Sequence, residues 1–235
     1  MSWVRIPASP EMKPHQRYLS LLEELEKLKA LNGITYDIEV VVVTKYAQES
    51  QIVDLLENAP VKHIGENRVQ EADRKFSYLS NLNLLKGVKK HMLGPIQSNK
   101  IPKIVKLFDF VQSVEDLSEL EALVKRNFSG EVLVEVKTSY ENTKHGIEVD
   151  RVEDFFSILV EKGISPSGLM TIAPFTDDES EISKSFSTLR ELKEKIERSF
   201  GLVLKYLSMG MTNDYKIAIK EGSNMLRIGS LIFNR

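Results

Sequence analysis

The sequence predicts an α/β fold, a single (β/α)8 TIM barrel preceded by one extra N-terminal helix. Eight short apolar segments alternate with amphipathic helical segments, which is the pattern of a parallel sheet with crossover helices. The length of 235 residues is close to the roughly 250 that are typical of such barrels. No Gly-x-Gly-x-x-Gly follows the first strand, which disfavours the open dinucleotide-binding sheet. Without a linker-like tract, we expect one domain over 1–235, with an N-terminal extension and helix in 1–37 and the barrel in 38–233.

The elements follow from local patterns along the chain. Leucines at helical spacing before Asn32-Gly33 predict the first helix. The run Val40–Val43 predicts a strand buried on both faces. Further strands are predicted at Val61–Ile64, His91–Leu93, Phe108–Val111, Glu131–Val136, Gly168–Ile172, Leu202–Leu207 and Met225–Ile228. Further helices are predicted at Ser50–Asn58 with Ser50 as N-cap, Asp116–Arg126, Val152–Lys162 and Ile182–Phe200.

Composition excludes several classes of function. A net charge of -2 disfavours a dedicated nucleic-acid binder, and the absence of cysteine excludes disulfides, thiolate catalysis and iron–sulfur clusters. No segment has the apolar core of a signal peptide or the length of a membrane span, so we expect a cytoplasmic protein without a membrane partner. The spacing of His63, His91 and His145 predicts no metal site, and His91 is expected to be a structural residue.

Polar residues follow the first two predicted strands, at the face of a barrel where active sites form. The first strand ends in Thr44-Lys45. Partial desolvation at a barrel mouth favours the neutral lysine amine, which attacks carbonyl carbons, although a solvated lysine that merely ends a strand is the simpler alternative. Asn67 follows the second strand and offers both a donor and an acceptor, but it is also a common turn residue.

The last two predicted strands also end in polar segments. Ser208–Asp214 carries hydroxyls and a glycine, and Gly229-Ser230 follows the final strand. Loops at these two places commonly bind phosphate in barrels, although each segment alone also fits a capped helix start. A lysine nucleophile with a phosphate cradle fits a phosphorylated aldehyde, of which pyridoxal 5′-phosphate (PLP) is the leading candidate. Arg227 would then donate to the pyridine nitrogen and keep it unprotonated.

Six stretches of the chain resemble the motifs of the PLP homeostasis proteins (the YggS-like family). They are Thr44-Lys45, His63–Glu71, His91–Lys100, Gly168–Met170, Leu207–Met211 and Arg227–Ser230. They occur in matching order between about Ile38 and Phe233. Together these motifs are specific, although no single one is.

The resemblance implies a PLP-binding barrel of fold type III, similar to the N-terminal domain of alanine racemase. It implies that PLP is held as an internal aldimine on Lys45, with Arg227 near the pyridine nitrogen and Asn67 against the ring. The phosphate would lie among three residues from the last two strand ends. The implied cofactor-binding residues are Lys45, Asn67, Met170, Ser208, Met209, Arg227, Gly229 and Ser230.

The resemblance further implies a role in keeping intracellular PLP (vitamin B6) and amino acid levels in balance. Such a protein is not an enzyme, although weak racemase-type side activity is compatible with it. The alternative is a PLP-dependent amino-acid racemase or decarboxylase of the same fold type, which carries a second, β-rich domain. Since only 231–235 follow the Arg227–Ser230 motif, length favours the carrier. A third hypothesis is an aldolase that uses Lys45 without PLP.

The expected partners are PLP and, as candidate recipients, PLP-dependent apoenzymes, and the expected state is a monomer. Some relatives carry a second lysine two residues beyond the Schiff-base lysine, where this chain has Ala47, which argues against a relay of PLP there. Lys144 matches a lysine that is frequent in the corresponding loop of the family. It is a candidate guide for cofactor entry, and a solvated loop lysine is the simpler alternative.

Overall fold

A computed structural model of the chain describes residues 12–141 and 144–234. Within them, one parallel sheet closes into a barrel in the order β4-β3-β2-β1-β9-β8-β7-β5, with β5 pairing back to β4. The predicted (β/α)8 barrel is therefore confirmed. Part of the predicted N-terminal extension, 1–11, lies outside the described residues, as do Asn142, Thr143 and Arg235.

The strands are short and mostly buried on both faces, as expected where helices cover a parallel sheet. Their bounds are β1 Glu39–Val43, β2 His63–Glu66, β3 Lys89–Met92, β4 Phe110–Val114, β5 Glu131–Lys137, β6 Ile147–Glu148, β7 Gly168–Met170, β8 Tyr206–Ser208 and β9 Met225–Ile228. The two-residue β6 pairs only with the end of β5, at the rim of the barrel, and adds no wall strand.

The helices form the outer layer. Their bounds are α1 Pro14–Leu31, α2 Glu49–Asn58, α3 Val69–Asn81, α4 Ile101–Leu107, α5 Leu117–Lys125, α6 Val152–Glu161, α7 Glu179–Phe200, α8 Tyr215–Lys220 and α9 Ser230–Phe233. The extra helix α1 packs beside α2 and α9, which closes the region where the first and last barrel strands meet. Among the helices of the described ranges, none is long and apolar enough to cross a bilayer.

Side chains alternate along each strand between the barrel interior and the helix layer. On β1, Val41 joins the small interior cluster, whereas Val40 and Val42 pack in the larger cluster under the helices. The other fully enclosed members of the interior cluster are Phe110, Leu133, Met170, Tyr206 and Met225. This alternation directs Lys45, two positions beyond Val43, toward the mouth of the barrel.

Several predicted boundaries differ from the structure by a few residues, and two of them show how local contacts move an element's start. The helix expected to be capped by Ser50 begins at Glu49, and Gln48 occupies the N-cap position. The strand predicted from Leu202 begins only at Tyr206. The N–H of Leu204 donates to the Glu197 carboxylate, so this residue is tied to the end of α7.

Candidate functional site

Lys45, the reactive lysine predicted from the sequence, lies at the mouth of the barrel. Lys45 follows β1 and is half-buried, with its Nζ 4.7 Å from the centroid of the Tyr46 ring. Two residues further, Ala47 is buried in the core under the helices and presents no functional group. Lys45 therefore has an accessible amine at the face of the barrel where parallel strands end.

A buried ion pair holds the backbone on which Lys45 stands. Lys75 of α3 places its Nζ 2.7 Å from the Glu66 carboxylate and 2.6 Å from the carbonyl oxygen of Thr44, and it also donates to the carbonyl of Lys45. The Thr44 hydroxyl donates to the same carboxylate at 2.7 Å. Lys75 and Glu66 are 2% and 1% exposed, so water screens this pair very little. This pair could not be predicted from the sequence, because a lysine on an amphipathic helix normally faces solvent.

Asn67 lies beside Lys45 in a cavity of about 760 Å³. Its backbone is fixed by a close approach of Gly94, where a Cβ would lie 2.2 Å from the Asn67 carbonyl oxygen. Only glycine fits there, so Gly94 is a packing requirement. The cavity is lined by Lys45, Tyr46, Glu66, Asn67, Arg68, Val69, Gln70, Glu71, Met92, Pro95, Gln97 and Lys100.

Arg227 lies inside the barrel, below the mouth. Its Nη1 donates to the Ser208 hydroxyl at 2.8 Å, and its Nη2 donates to the Thr171 carbonyl at 2.7 Å. Burial lowers its pKa to about 10, while the nearby Asp214 and Glu135 carboxylates oppose that change. The guanidinium therefore stays charged at neutral pH, and its two bonded nitrogens are fixed in direction.

Two carboxyl groups near Arg227 are themselves perturbed. Burial raises the pKa of Glu135 to about 7, and the charge of Arg227 opposes that rise. Burial also raises the pKa of Asp214, whose carboxylate accepts from the N–H of Met211. Sequence reasoning missed Glu135 because it lies within the apolar run of β5.

The other predicted contacts from β7 and β8 are distributed on both faces of the sheet. Met170 is in the interior cluster. The Ser208 hydroxyl also points into the interior, where it donates to Gln112 at 2.7 Å. The Met209 side chain is fully buried on the opposite face, under the helices, and its N–H donates to the Met225 carbonyl. The structure thus brings Ser208 to Arg227 and leaves the Met209 side chain away from the mouth.

Gly229 and Ser230 form a turn directly beside the end of β1. A Cβ on Gly229 would lie 3.1 Å from the Val43 carbonyl oxygen, so the missing side chain lets β9 end against β1. Ser230 is exposed and begins α9. The N–H of Leu231 reaches the Thr212 hydroxyl at 3.3 Å, which joins this turn to the loop after β8. The two loops expected to hold phosphate are therefore neighbours.

Lys144 is not a free surface lysine. Its Nζ lies 3.2 Å from the Ala173 carbonyl, in the loop after β7, and 3.4 Å from the Glu141 carboxylate. A role for Lys144 in cofactor entry stays a prediction. His91, expected to be structural, is confirmed as such, because it is buried and bonded on both ring nitrogens.

The relatives of known name point to one family. A pyridoxal phosphate homeostasis protein of Aquifex aeolicus is 30% identical over 227 residues, covering 94% of this chain and 98% of that protein. The chain belongs to the pyridoxal phosphate homeostasis protein family. A member from Helicobacter pylori is 32% identical over 93% of this chain and 97% of its own length. The resemblance found in the sequence is confirmed, although no protein-family model matches the chain.

Solved structures agree with this membership. PipY of Synechococcus elongatus, determined with PLP bound, is 26% identical with a TM-score of 0.82, covering 94% of this chain and 100% of that one. Alanine racemase from Corynebacterium glutamicum matches with a TM-score of 0.63 at 16% identity, over 87% of this chain and 57% of that one. The second likeness concerns the fold alone, and it confirms the predicted alanine-racemase-like barrel.

Proposed function

We propose that this protein binds PLP at the barrel mouth and serves intracellular PLP and amino acid homeostasis as a carrier. Lys45 would hold the cofactor through its amine, a group that condenses with aldehydes and releases water. The family membership and the PLP-bound relative support the ligand. When bound, PLP supplies an electron-withdrawing ring and a phosphate handle.

The residues present fit the three functional parts of PLP. Lys45 offers an accessible amine for the aldehyde. The guanidinium of Arg227 can donate hydrogen bonds but cannot accept them, so it suits a pyridine nitrogen that carries no proton. Gly229 and Ser230 offer backbone N–H groups and a hydroxyl for the phosphate. Ser208 contributes by holding Arg227, and Asn67, beside Lys45, contributes to the wall against the ring.

One observation carries this proposal. The close approach of Gly229 to Val43 places the turn after β9 two residues from Lys45 along β1. A side chain at Gly229 would push against the β1 backbone and fill this space. An amine and an anion-binding turn on adjacent strand ends are what a small phosphorylated aldehyde requires.

The carrier role is favoured over sustained catalysis. The curated relatives that cover the chain nearly end to end are named for homeostasis of the cofactor. The likeness to alanine racemase is confined to the fold. We further propose that the protein acts as a cytoplasmic monomer, without nucleic acid, and passes PLP to PLP-dependent apoenzymes.

An absorbance titration tests the binding proposal. Purified protein mixed with PLP should turn yellow with a Schiff-base band, and Lys45→Ala should lose that band. Lys144→Ala, which removes another lysine at the same face of the barrel, is the matched control and should keep it. A band of equal size in Lys45→Ala would overturn the assignment of Lys45.

Incubation with amino acids separates the carrier from the enzyme. Alanine and serine would be mixed with PLP-loaded protein, and the chirality of the amino acid followed over time. We expect at most slow racemisation. Sustained racemisation or decarboxylation at enzymic rates would favour the alternative function.

A further inference from the structure

A continuous line of polar side chains runs through the barrel interior and ends at Arg227, the residue proposed to contact the cofactor. It joins residues of six wall strands, from the bottom of β1 to the arginine on β9. Its members are Glu39, His63, His91, Gln112, Ser208 and Arg227. Apolar side chains fill most of the remaining interior. Burying so many polar groups in a barrel interior is costly unless each one is hydrogen-bonded.

The upper part of the line connects Arg227 to His91. Arg227 Nη1 is 2.8 Å from Ser208 Oγ, and Ser208 Oγ is 2.7 Å from Gln112 Oε1. The other end of the same amide, Gln112 Nε2, is 2.7 Å from His91 Nδ1. Ser208, Gln112 and His91 are all 0% exposed, so no bulk solvent competes for these bonds.

The lower part connects His91 to solvent at the bottom of the barrel. His91 Nε2 is 2.8 Å from His63 Nδ1, and His63 Nε2 is 3.0 Å from the Glu39 carboxylate. The Phe110 ring stacks on His91 at 4.1 Å between centroids and 12° between planes, which fixes the orientation of the imidazole. Glu39 is the partly exposed end of the line.

The two ends determine where every proton lies. A guanidinium can only donate, so Ser208 accepts from Arg227 and must give its own hydrogen to Gln112 Oε1. The amide N–H then donates to His91 Nδ1, which leaves the His91 proton on Nε2 for His63. At the other end a carboxylate can only accept, so His63 carries its proton on Nε2 as well. All five bonds therefore run in one direction, from the cation to the anion.

The opposite orientation of the Gln112 amide leaves unsatisfied hydrogen-bonding groups at both ends of the line. Ser208 would receive two donors and its own hydrogen would have no acceptor in the bonds described. Both imidazoles would have to move their protons to Nδ1, leaving a bare nitrogen of His63 against the Glu39 carboxylate. The observed amide also directs its N–H toward Met225 Sδ at 3.1 Å, a weak acceptor that is consistent with the first orientation.

Protonation at the centre of the line is disfavoured. Burial lowers the pKa of His91 well below its usual value, and the neighbouring His63 acts in the same direction. A second proton on His63 would place two N–H groups against each other across the 2.8 Å contact between the rings. A second proton on His91 would oppose the Gln112 N–H across their 2.7 Å contact. His91 is therefore held neutral.

We propose that Gln112 is a positioning residue for Arg227, acting through Ser208, and that it sets the proton direction along the line to Glu39. The consequence for the cofactor rests on the proposed function, because it requires Arg227 to face the pyridine nitrogen. The direction of the line is a property of the protein without PLP. The two statements can therefore fail separately.

Nitrogen NMR of histidine-labelled protein without PLP tests the line itself. At neutral pH, His63 and His91 should both carry a proton on Nε2. A proton on Nδ1 of His91 in the unmodified chain would overturn the assigned direction. This measurement needs no variant, so it stands even where a substitution of Gln112 prevents folding.

Two substitutions of Gln112 then distinguish its bond to Ser208 from its bond to His91. Gln112→Leu removes both bonds and should weaken PLP binding about tenfold while shifting the pH dependence of the cofactor absorbance. Gln112→Glu keeps an acceptor for Ser208 but no donor for His91. It should bind PLP within about threefold of the unmodified protein while moving the His91 proton to Nδ1. Equal effects of the two variants on PLP binding would overturn the positioning role.

Ser185→Ala is the matched control, because it removes a buried hydroxyl that bonds to Thr138, outside the line. It should change neither the histidine signals nor the pH dependence of absorbance. If none of the proteins binds PLP while the histidine protons lie as expected, the proposed function is wrong and the assigned proton direction is still supported. If PLP binds and Gln112→Leu leaves both readouts unchanged, the positioning role of Gln112 fails alone.

Discussion

The two basic residues assigned to the cofactor are fixed in opposite ways. On the β1 side, the buried Lys75–Glu66 pair holds the backbone at Lys45 and leaves its amine half-exposed. On the β9 side, the guanidinium of Arg227 is itself buried and bonded to Ser208. The comparison indicates a division of roles. The residue proposed to bind covalently has a partly exposed side chain on a fixed backbone, and the residue proposed only to recognise the cofactor has a fixed side chain.

The largest effect is expected from breaking the support under Lys45. Lys75→Met leaves the Glu66 carboxylate buried without its cation, and such a loss typically destabilises a protein by about 3–5 kcal/mol. Urea unfolding of the protein without PLP measures the change. The second variant, Lys75→Met with Glu66→Gln, removes the uncompensated charge and should regain a substantial part of the lost stability. A double variant no more stable than the single one would contradict the ion-pair account.

The next effect concerns the β9 side. Arg227→Ala removes the donor proposed for the pyridine nitrogen, so PLP affinity should fall by about 10–100-fold, the range for hydrogen bonds that involve a charged group. The pH dependence of the cofactor absorbance should change as well. Arg190→Ala removes an arginine that pairs with Glu221 on the helix layer and serves as the control. An unchanged pH dependence in Arg227→Ala would rule out the pyridine contact.

A smaller effect is expected from the carboxyl near Arg227. The pKa of Glu135 is raised by burial to about 7, from 4.5 for an unperturbed group. Between these values the folded protein binds a proton that the unfolded chain has released, so this group makes stability fall as pH rises through the window. Glu135→Gln should remove that fall. At about pH 8 its free energy of unfolding should exceed that of the unmodified protein by about 1–3 kcal/mol.

Unfolding curves at acidic and alkaline pH check this sign. Glu119, whose pKa burial also raises to about 7, is present in both proteins, and its repulsion of Glu135 is part of what Glu135→Gln removes. Below the ordinary carboxyl pKa, the two proteins should differ little. A stability difference that grows toward acid would show that the charged form of Glu135 is the favoured one.

The barrel could be predicted from the sequence because its strands are local patterns. The β-branched run of β1 and the alternation of strands with helices needed no distant contact to be recognised. The short β6 was missed, since two residues that pair only with the end of β5 form no apolar run. Lys45, Asn67, Arg227 and Gly229 can be proposed as site residues from the sequence, because strand ends are where barrels place functional groups.

The supporting residues could not be found in the same way. Lys75 is buried only because the ends of β1 and β2 supply three acceptors, and none of these is near it in sequence. Gln112 left a weak signal, a polar residue within a strand whose other members are mostly apolar, but its two partners come from β3 and β8. Tertiary contact therefore decides which polar residues support a site.

The central claim is that Lys45 is the residue that binds the cofactor covalently. The most direct measurement reduces PLP-loaded protein with borohydride and locates the pyridoxyl group by peptide mass spectrometry. The account predicts the label on Lys45, with Lys144 and Lys100 unmodified. A label on either of those lysines, with Lys45 unmodified, would contradict it.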